Sequence, residues 1–485
     1  MIKYGNSDLV KNAGLEEVLT REEQQEKGDF GANADELATD LEKLGPTFIK
    51  LGQLLSTRPD FIPPVYLNAL SRLQDHCEVF PFSEVEKIVV NELGVRMSRA
   101  FSEFSEEPIA AASLGQIHHA VMRNGREVVV KIQRPGIRES TIEDLEALAD
   151  IADFYDKHTK VGKRYEFSVT VNEFRKSILA ELDYQKEAHN LITLRENLEE
   201  FELIVVPSPV HDYSTSKVLT MDFIPGKKIT SVSGFKLLDI DGGPLAEEVF
   251  KAYLKQILVD GFFHADPHPG NVFITHDNKI ALIDLGMVAY LTPHLQDQIF
   301  QLLLALAENR PDTAADICKE IGTPREKFDE AEFRQELVDL VHLQLEGDLE
   351  DMSLGKVVLG VTTAAGKCAI RVPPELTMLG KTLLNLDQVG RTLYPKFDVK
   401  ESVKKNASDI LERRMEKIVS AEHIFRAAID AKNYAEKLPG TMMKILDLTA
   451  NNKLRIKVDT IDEALLLDAF QKVANRISLG LVLAA

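Results

Sequence analysis

The chain has 485 residues, with 57 Lys and Arg against 77 Asp and Glu, a formal net charge of −20. Hydrophobic residues make up 44% and charged residues 28%, which excludes a disordered or fibrous chain and fits two or three globular domains. The acidic balance also excludes general nucleic-acid binding, because neutralising a phosphate backbone needs surplus cations.

The first fourteen residues mix Lys3, Asp8 and Lys11 with polar side chains and hold no apolar core of a secretory signal. No apolar run reaches the ~20 residues of a membrane span. Cys77, Cys318 and Cys368 lie far apart and in odd number, a poor disulfide framework without metal-ligand spacing, so the expected compartment is reducing and intracellular.

From Leu37 to Leu55 leucines and Phe48 recur in steps of three and four, a helical stripe. Gly45-Pro46 divides it into two helices, with Pro46 in the first turn of the second. Further helices are expected over Pro64–Leu73 and Ser83–Leu93, making the first hundred residues helical. The pattern then changes. Glu127–Gln133 (EVVVKIQ) is β-branched and stops at Arg134-Pro135-Gly136, a strand and turn. Leu203–Val206 and Lys217–Phe223 read as strands, with long helices over Glu139–Lys157 and Val169–Leu198. A helix over Leu245–Asp260 precedes two strands, Val272–Thr275 and Ile280–Ile283, joined by His276-Asp277-Asn278. Beyond Pro293 the pattern is helical.

The tail from Val403 to Lys457 holds 12 Lys or Arg against 7 Asp or Glu, with apolar residues at helical spacing. It reads either as a basic amphipathic surface helix or as the solvated face of a packed one. The final nine residues, Ile477 to Ala485, are apolar or small. They read either as a packed C-terminal helix or as the start of a membrane anchor that continues beyond this chain.

Chemistry concentrates in His264-Ala265-Asp266-Pro267-His268-Pro269-Gly270-Asn271, followed by Ile283-Asp284-Leu285-Gly286. An Asp and an Asn five apart on a loop, then a second Asp before Gly after a hairpin, suit phosphoryl transfer. Asp266 can orient or deprotonate the acceptor, and Asn271 and Asp284 offer the hard oxygen ligands Mg²⁺ prefers. The two histidines would also suit a transition metal, but no third soft ligand is near. Lys131 sits inside the β-branched run, where a charge needs a partner. As the lysine that holds nucleotide phosphates, it would pair with Glu187 on a helix. Upstream, Ala110-Ala111-Ala112-Ser113-Leu114-Gly115 stands where a glycine-rich phosphate loop is expected. Small residues let backbone N–H groups approach phosphate, and alanine should make the loop stiffer. Val218 to Gly226 suits the strand and hinge along an adenine pocket, with Met221 at its inner wall and backbone groups of Asp222, Phe223 and Ile224 facing the base.

Four segments together resemble the UbiB/AarF family of atypical protein-kinase-like proteins: FIKLGQLLSTRPD with Lys50-Leu51-Gly52-Gln53, AAASLGQIHHA, ELDYQKEAHN with Glu181, Asp183 and Glu187, and HADPHPGN with the later IDLGM. The match runs from about Leu44 to Tyr290, and LPGTMMKILD and the apolar end are also similar to the family. DLG replaces the usual kinase DFG and VVVK the usual VAIK, without loss of a liganding group. The resemblance implies an α+β, two-lobed protein-kinase-like fold, with a helical N-terminal extension (1–104), an N-lobe with inserted helices (105–225), a C-lobe (226–400) and a helical tail (401–485). It implies that Lys50 and Gln53 point from the extension into the nucleotide pocket, with Glu181 near Lys50. It implies ATP or ADP with Mg²⁺, and ATPase-like behaviour tied to ubiquinone or another isoprenoid lipid. Its expected place is cytoplasmic, peripheral to or anchored at a membrane, with quinone-biosynthesis enzymes as partners. No Ala-Pro-Glu motif follows Asp284, which disfavours ordinary protein phosphorylation. HADPHPGN is also similar to the catalytic loop of small-molecule kinases, and a nucleotide-binding scaffold without turnover is a third reading.

Overall fold

The three consecutive valines before Lys131 set the architecture, because β-branched side chains fit a pleated surface. In the structure, a computed structural model, Glu127–Gln133 forms strand β4 of a five-stranded antiparallel sheet. The structure describes residues 30–419, apart from 57–61, 63, 71, 74–77, 160–161, 163–166, 232–240, 326–327 and 347–352. The apolar C-terminal end and most of the basic tail lie outside these residues.

The sheet also contains β1 (Phe101–Phe104), β2 (Ala110–Ala111), β3 (Gly115–Met122) and β6 (Val218–Asp222). Its order is β1-β3-β4-β6, with β2 hydrogen-bonded to β3. Of these, only β4 and β6 are expected from local pattern; β3, reading GQIHHAVM, carries polar residues that its paired neighbours bury. The sheet begins at Phe101, a few residues before the expected boundary at 105, because Phe101 pairs with Met122.

Alternation along β4 decides where its lysine points. Val128, Val130 and Ile132 face outward into a core with Val85 and Val89 of helix α4 (Phe82–Leu93). Val129 and Lys131 face the other way, as do Leu219 and Met221 of β6, toward the large core shared with the following helical lobe.

The extension contains α1 (Phe30–Leu44), α2 (Pro46–Leu55) and α3 (Pro64–Leu70). Gly45, at φ 106°, makes the expected break, and Pro46 opens α2. One face of α2 joins α1 and α3 through Ile49. The opposite face, Leu51 and Leu54, packs on α5 (Ile137–His158) and α6 (Phe167–Glu181), the helices inserted between β4 and β6. Gly52 matters here, since a Cβ would lie 2.3 Å from Leu73 Cδ1. The single helix expected over Val169–Leu198 is instead two, α6 and α7 (Tyr184–Asn197). Asp183 breaks the run: its side chain accepts from the Gln185 N–H at 3.2 Å and caps α7.

The short β5 (Ile204–Val205) precedes β6, and after β6 come β7 (Gly226–Lys228), helix α8 (Gly242–Lys255) and a wider turn of helix at Gln256–Asp260. Strands β8 (Phe262–His264) and β11 (Val288–Tyr290) bracket the hairpin of β9 (Val272–Thr275) and β10 (Ile280–Leu282). Then follow α9 (Pro293–Ala307), α10 (Pro311–Ile321), α11 (Glu330–Glu346), α12 (Leu354–Lys367), α13 (Pro374–Leu393) and α14 (Val399–Val419). The chain divides into compact units at Arg414. Along α14 up to that point Val399, Val403 and Ile410 are buried and Asn406 donates to Glu247 at 2.8 Å, so this stretch is a packed helix rather than a free amphipathic surface. Among the described residues no helix is long and apolar enough to cross a membrane.

Candidate active site

Lys131 Nζ lies 2.9 Å from both carboxylate oxygens of Glu187, on the first turn of α7, and 3.8 Å from Asp284. Glu187 is 3% exposed, Lys131 18% and Asp284 47%, so the cluster has a sealed end and an end open to the cleft between the lobes. The Lys131 ammonium holds Asp284 below the usual carboxylate range against the effect of burial. Burial pushes Glu187 up to about 7, with Lys131 opposing. Burial pulls on Lys131 too, but Asp284 and Glu187 more than offset it and the ammonium stays charged. The Tyr184 ring, 5.1 Å from Nζ, covers the same ammonium; its hydroxyl is buried without a hydrogen-bond partner.

Helix α7 also ties the cluster to Asp284 from below. Asn190, one turn after Glu187, donates to the Leu285 carbonyl at 3.1 Å. Asp284 Oδ1 accepts from the Gly286 N–H at 3.0 Å. The hairpin register sets Leu282 opposite Val272, which brings Asn271 and Asp284 to one end of the β9–β10 pair. Two oxygen-bearing side chains there, with substrate phosphates, fit the sparse protein coordination Mg²⁺ accepts.

Asp266 is built differently. Its loop leaves β8 at His264, whose imidazole is kept neutral by burial and whose Nδ1 lies 2.8 Å from the Tyr253 hydroxyl. The His264 N–H donates to Gln256 Oε1 at 3.0 Å. From α13, Asn385 donates to Asp266 Oδ1 at 3.2 Å, Lys381 Nζ lies 3.7 Å from the same oxygen, and Thr382 donates to the Ala265 carbonyl at 2.9 Å. Sequence reasoning missed all three. No local signal joins a helix to a loop 119 positions upstream, although spacing puts them on one helix face.

Lys50 reaches Glu181, at the end of α6, at 2.6 Å, as the resemblance implies. Gln53, one turn on, has its Nε2 donating to the Leu73 carbonyl at 3.2 Å, inside the extension. The alanine segment differs from expectation. Ala110 and Ala111 are strand, and Ala112 to Gly115 form a tight turn closed by the Ala112 N–H on the Gly115 carbonyl at 2.8 Å. Ser113 and Leu114 are buried, Leu114 against Ile137 and Leu145, and Arg134 binds the carbonyls of Ala112 and Ser113. Only backbone of this turn is left to meet a ligand. Gly115 has no room for a side chain, since a Cβ would sit 2.3 Å from the Ile132 carbonyl oxygen and 2.7 Å from the Tyr184 hydroxyl.

Met221 is buried on the Lys131 side of β6. Asp222 spends its side chain on Arg126 at 2.6 Å and the Ser208 N–H at 3.2 Å. The Asp222 and Phe223 N–H groups already donate to the carbonyls of Ser208 and Glu127. The expected hinge contacts therefore narrow to carbonyl oxygens and the N–H of Ile224.

Comparison with known proteins gives this arrangement its context. Residues 72–317 match the model of the ABC1 atypical kinase-like domain, and residues 339–398 match that of the UbiB helical domain. The chain belongs to the ABC1/UbiB family of atypical kinase-like proteins. A probable protein kinase UbiB of Marinobacter nauticus is 35% identical over 388 residues, covering 79% of this chain and 71% of the relative. Its counterpart in Cellvibrio japonicus is 34% identical over 406 residues, covering 82% and 72%. The chloroplastic protein ACTIVITY OF BC1 COMPLEX KINASE 8 of Arabidopsis thaliana is 33% identical, covering 77% of this chain and 53% of that protein. A solved Mycobacterium tuberculosis structure, titled as a complex of Rv3197 with erythromycin, aligns with TM-score 0.45 at 24% identity, over 76% of this chain and 96% of that one. Within the ABC1/UbiB frame the α+β, two-lobed kinase-like fold holds. The Lys131–Glu187–Asp284 cluster and the Asp266 loop both fall in the kinase-like domain, and Lys381, Thr382 and Asn385 fall in the helical one.

Proposed function

We propose that this protein binds ATP or ADP with Mg²⁺ between its lobes and hydrolyses ATP in support of ubiquinone or other isoprenoid-lipid metabolism at a membrane. The observation that carries the reading is the convergence of Lys131, Glu187 and Asp284 in one cluster, with Lys131 held charged between the buried Glu187 and the exposed Asp284. Lys131 contacts nucleotide phosphates. Asn271 and Asp284 would hold the metal, whose role is to neutralise phosphate charge. Asp266 orients water or another hydroxyl toward the γ-phosphorus. The adenine lies along Met221, read by Ile224 and neighbouring carbonyl oxygens. The Lys50–Glu181 pair keeps α2 docked beside the site, which supports hydrolysis or a small acceptor over a folded protein substrate. The −20 charge keeps nucleic acid out of the partner list, and the named relatives support a kinase-like activity in general terms.

The test is phosphate release by the full chain with Mg-ATP, with and without vesicles containing an isoprenoid quinone precursor. Hydrolysis that exceeds an Asp284→Asn control and rises with the lipid is the expected result. Transfer of label to a lipid or metabolite pool would favour the small-molecule-kinase reading. Tight ADP binding with no turnover under any lipid condition would favour a scaffold.

A further inference from the structure

Two of the lysines already described are held by carboxylates other than Asp266. Lys131 faces Asp284, and Lys50 faces Glu181. The loop from His264 to Asn271 contains no Lys or Arg, and burial keeps His264 neutral. Phosphoryl transfer spreads negative charge over the equatorial oxygens of the moving group, and catalysis depends on cations placed for that charge. A lysine does reach the Asp266 side, and it comes from the helical domain: Lys381 of α13, 3.7 Å from Asp266 Oδ1.

We propose that Lys381 is the acceptor-side catalytic cation, contacting the phosphoryl group as it transfers, and that Asn385 and Thr382 are positioning residues for the Asp266 loop. This rests on the nucleotide turnover proposed above. The geometry divides the labour. Asn385 takes the hydrogen bond to Asp266 at 3.2 Å, and Thr382 holds the Ala265 carbonyl at 2.9 Å. Lys381 stands slightly farther off, beyond hydrogen-bond length, so its ammonium keeps donors for an incoming oxygen. Its side chain is 30% exposed and that of Asp266 29%, so both are open to the cleft, whereas Thr382 and Asn385 are buried. Position 385 neighbours both 381 and 382 on the surface of one helix, so one rigid element delivers all three groups. In the step itself, the acceptor oxygen bonds to the γ-phosphorus while the bond to the β–γ bridging oxygen breaks. The bonding pair leaves with ADP, the acceptor proton passes to Asp266, and with water as acceptor the products are ADP and inorganic phosphate.

The experiment uses the full chain, with Lys381→Met and Lys381→Arg against wild type. Three quantities are read: Mg-ATP turnover, the Kd of Mg-ADP, and the tightening of Mg-ADP binding by aluminium fluoride, which mimics the transferring phosphoryl group. Lys381→Met should lower kcat about 100-fold. It should abolish most of the fluoride tightening while leaving the ADP Kd within about threefold. Lys381→Arg should recover turnover to within about tenfold of wild type, because it restores the charge. Thermal unfolding checks that each variant is folded, and Lys381→Gln replaces the methionine variant should that one not fold. Turnover in Lys381→Met within about twofold of wild type would overturn the proposal. So would parallel loss of ADP affinity and turnover, or an arginine variant as poor as the methionine. A wild type that binds no ADP would instead overturn the nucleotide reading itself, and one that binds ADP but tightens with aluminium fluoride equally in all variants would overturn only the role of Lys381.

Discussion

Two lysine–carboxylate pairs border the same cleft, and they differ in what they join. Lys131–Glu187 lies inside the kinase-like domain, bidentate at 2.9 Å, with the carboxylate 3% exposed. Lys50–Glu181 ties the N-terminal extension to the end of α6 at 2.6 Å, with side chains 13% and 22% exposed. The first has lost most of its hydration and cannot lose a partner without stranding a charge. The second leaves its carboxylate 22% exposed, although Lys50 at 13% is more covered than Lys131 at 18%, so water can resolvate Glu181 when the pair breaks and the rupture is cheaper. A buried pair of this kind specifies geometry, and a half-buried one can act as a latch.

The sharpest way to break the contrast is Lys131→Met. It leaves Glu187 buried and unpaired, and unfolding by denaturant should show a loss of about 3–5 kcal/mol. The double variant Lys131→Met/Glu187→Leu should recover much of it, because no charge is then stranded. Gly115→Ala comes next. Its Cβ would press on the backbone of Ile132 and the Tyr184 hydroxyl, which covers Lys131, so a loss of about 1–3 kcal/mol is expected in the same assay. Lys50→Met should cost only about 1–2 kcal/mol. Its larger effect should be faster protease cleavage within residues 46–55. A loss equal to that of Lys131→Met would erase the distinction between the pairs.

pH gives a finer comparison. Glu187 rises from an ordinary 4.5 to about 7, so the folded state takes up more protons than the unfolded one between those values. The stability this group contributes is therefore complete below about 4.5 and is lost as pH rises through about 7. Asp284 acts in the opposite sense, since its contribution is present above its ordinary range and is lost as acid protonates it. Tm measured from pH 4.5 to 7 should thus flatten or tilt upward in Glu187→Gln relative to wild type. An unchanged slope would mean that Glu187 does not titrate there. The smallest effect is expected at Arg72→Ala, which breaks a pair with Asp35 whose side chains are 70% and 62% exposed and should leave Tm within error.

Legibility in the sequence followed the range of the interactions. EVVVKIQ announced its strand, Gly45-Pro46 its break and HADPHPGN its loop, because each depends on residues a few positions away. The Lys131–Glu187 pair was also readable, since an interior lysine demands a carboxylate and few candidates stood on a nearby helix. Strand β3 was not readable, because its Gln116 and His118 are polar by composition and acceptable only once paired: Gln116 bonds the backbone of Phe80, and His118 the carbonyl of Ser105. The alanine segment was readable only in part. Its small residues suggested a stiff turn with backbone near the site, but not that Arg134 would bind the carbonyls of Ala112 and Ser113 or that Ser113 and Leu114 would be buried.

The amino-acid order by itself determined the side chains of the candidate site: a lysine in a β-branched strand, an aspartate and asparagine on one loop, and an aspartate after a hairpin. Local propensity and charge compensation act over a few residues or demand one specific partner, so a linear reading can recover them. Tertiary structure alone decided which other elements meet those side chains. It brought α2 to Glu181, α13 to Asp266 and Gln53 Nε2 to the Leu73 carbonyl. Those choices follow from how apolar faces close over one another, and burial is a property of the assembled molecule that no single segment carries.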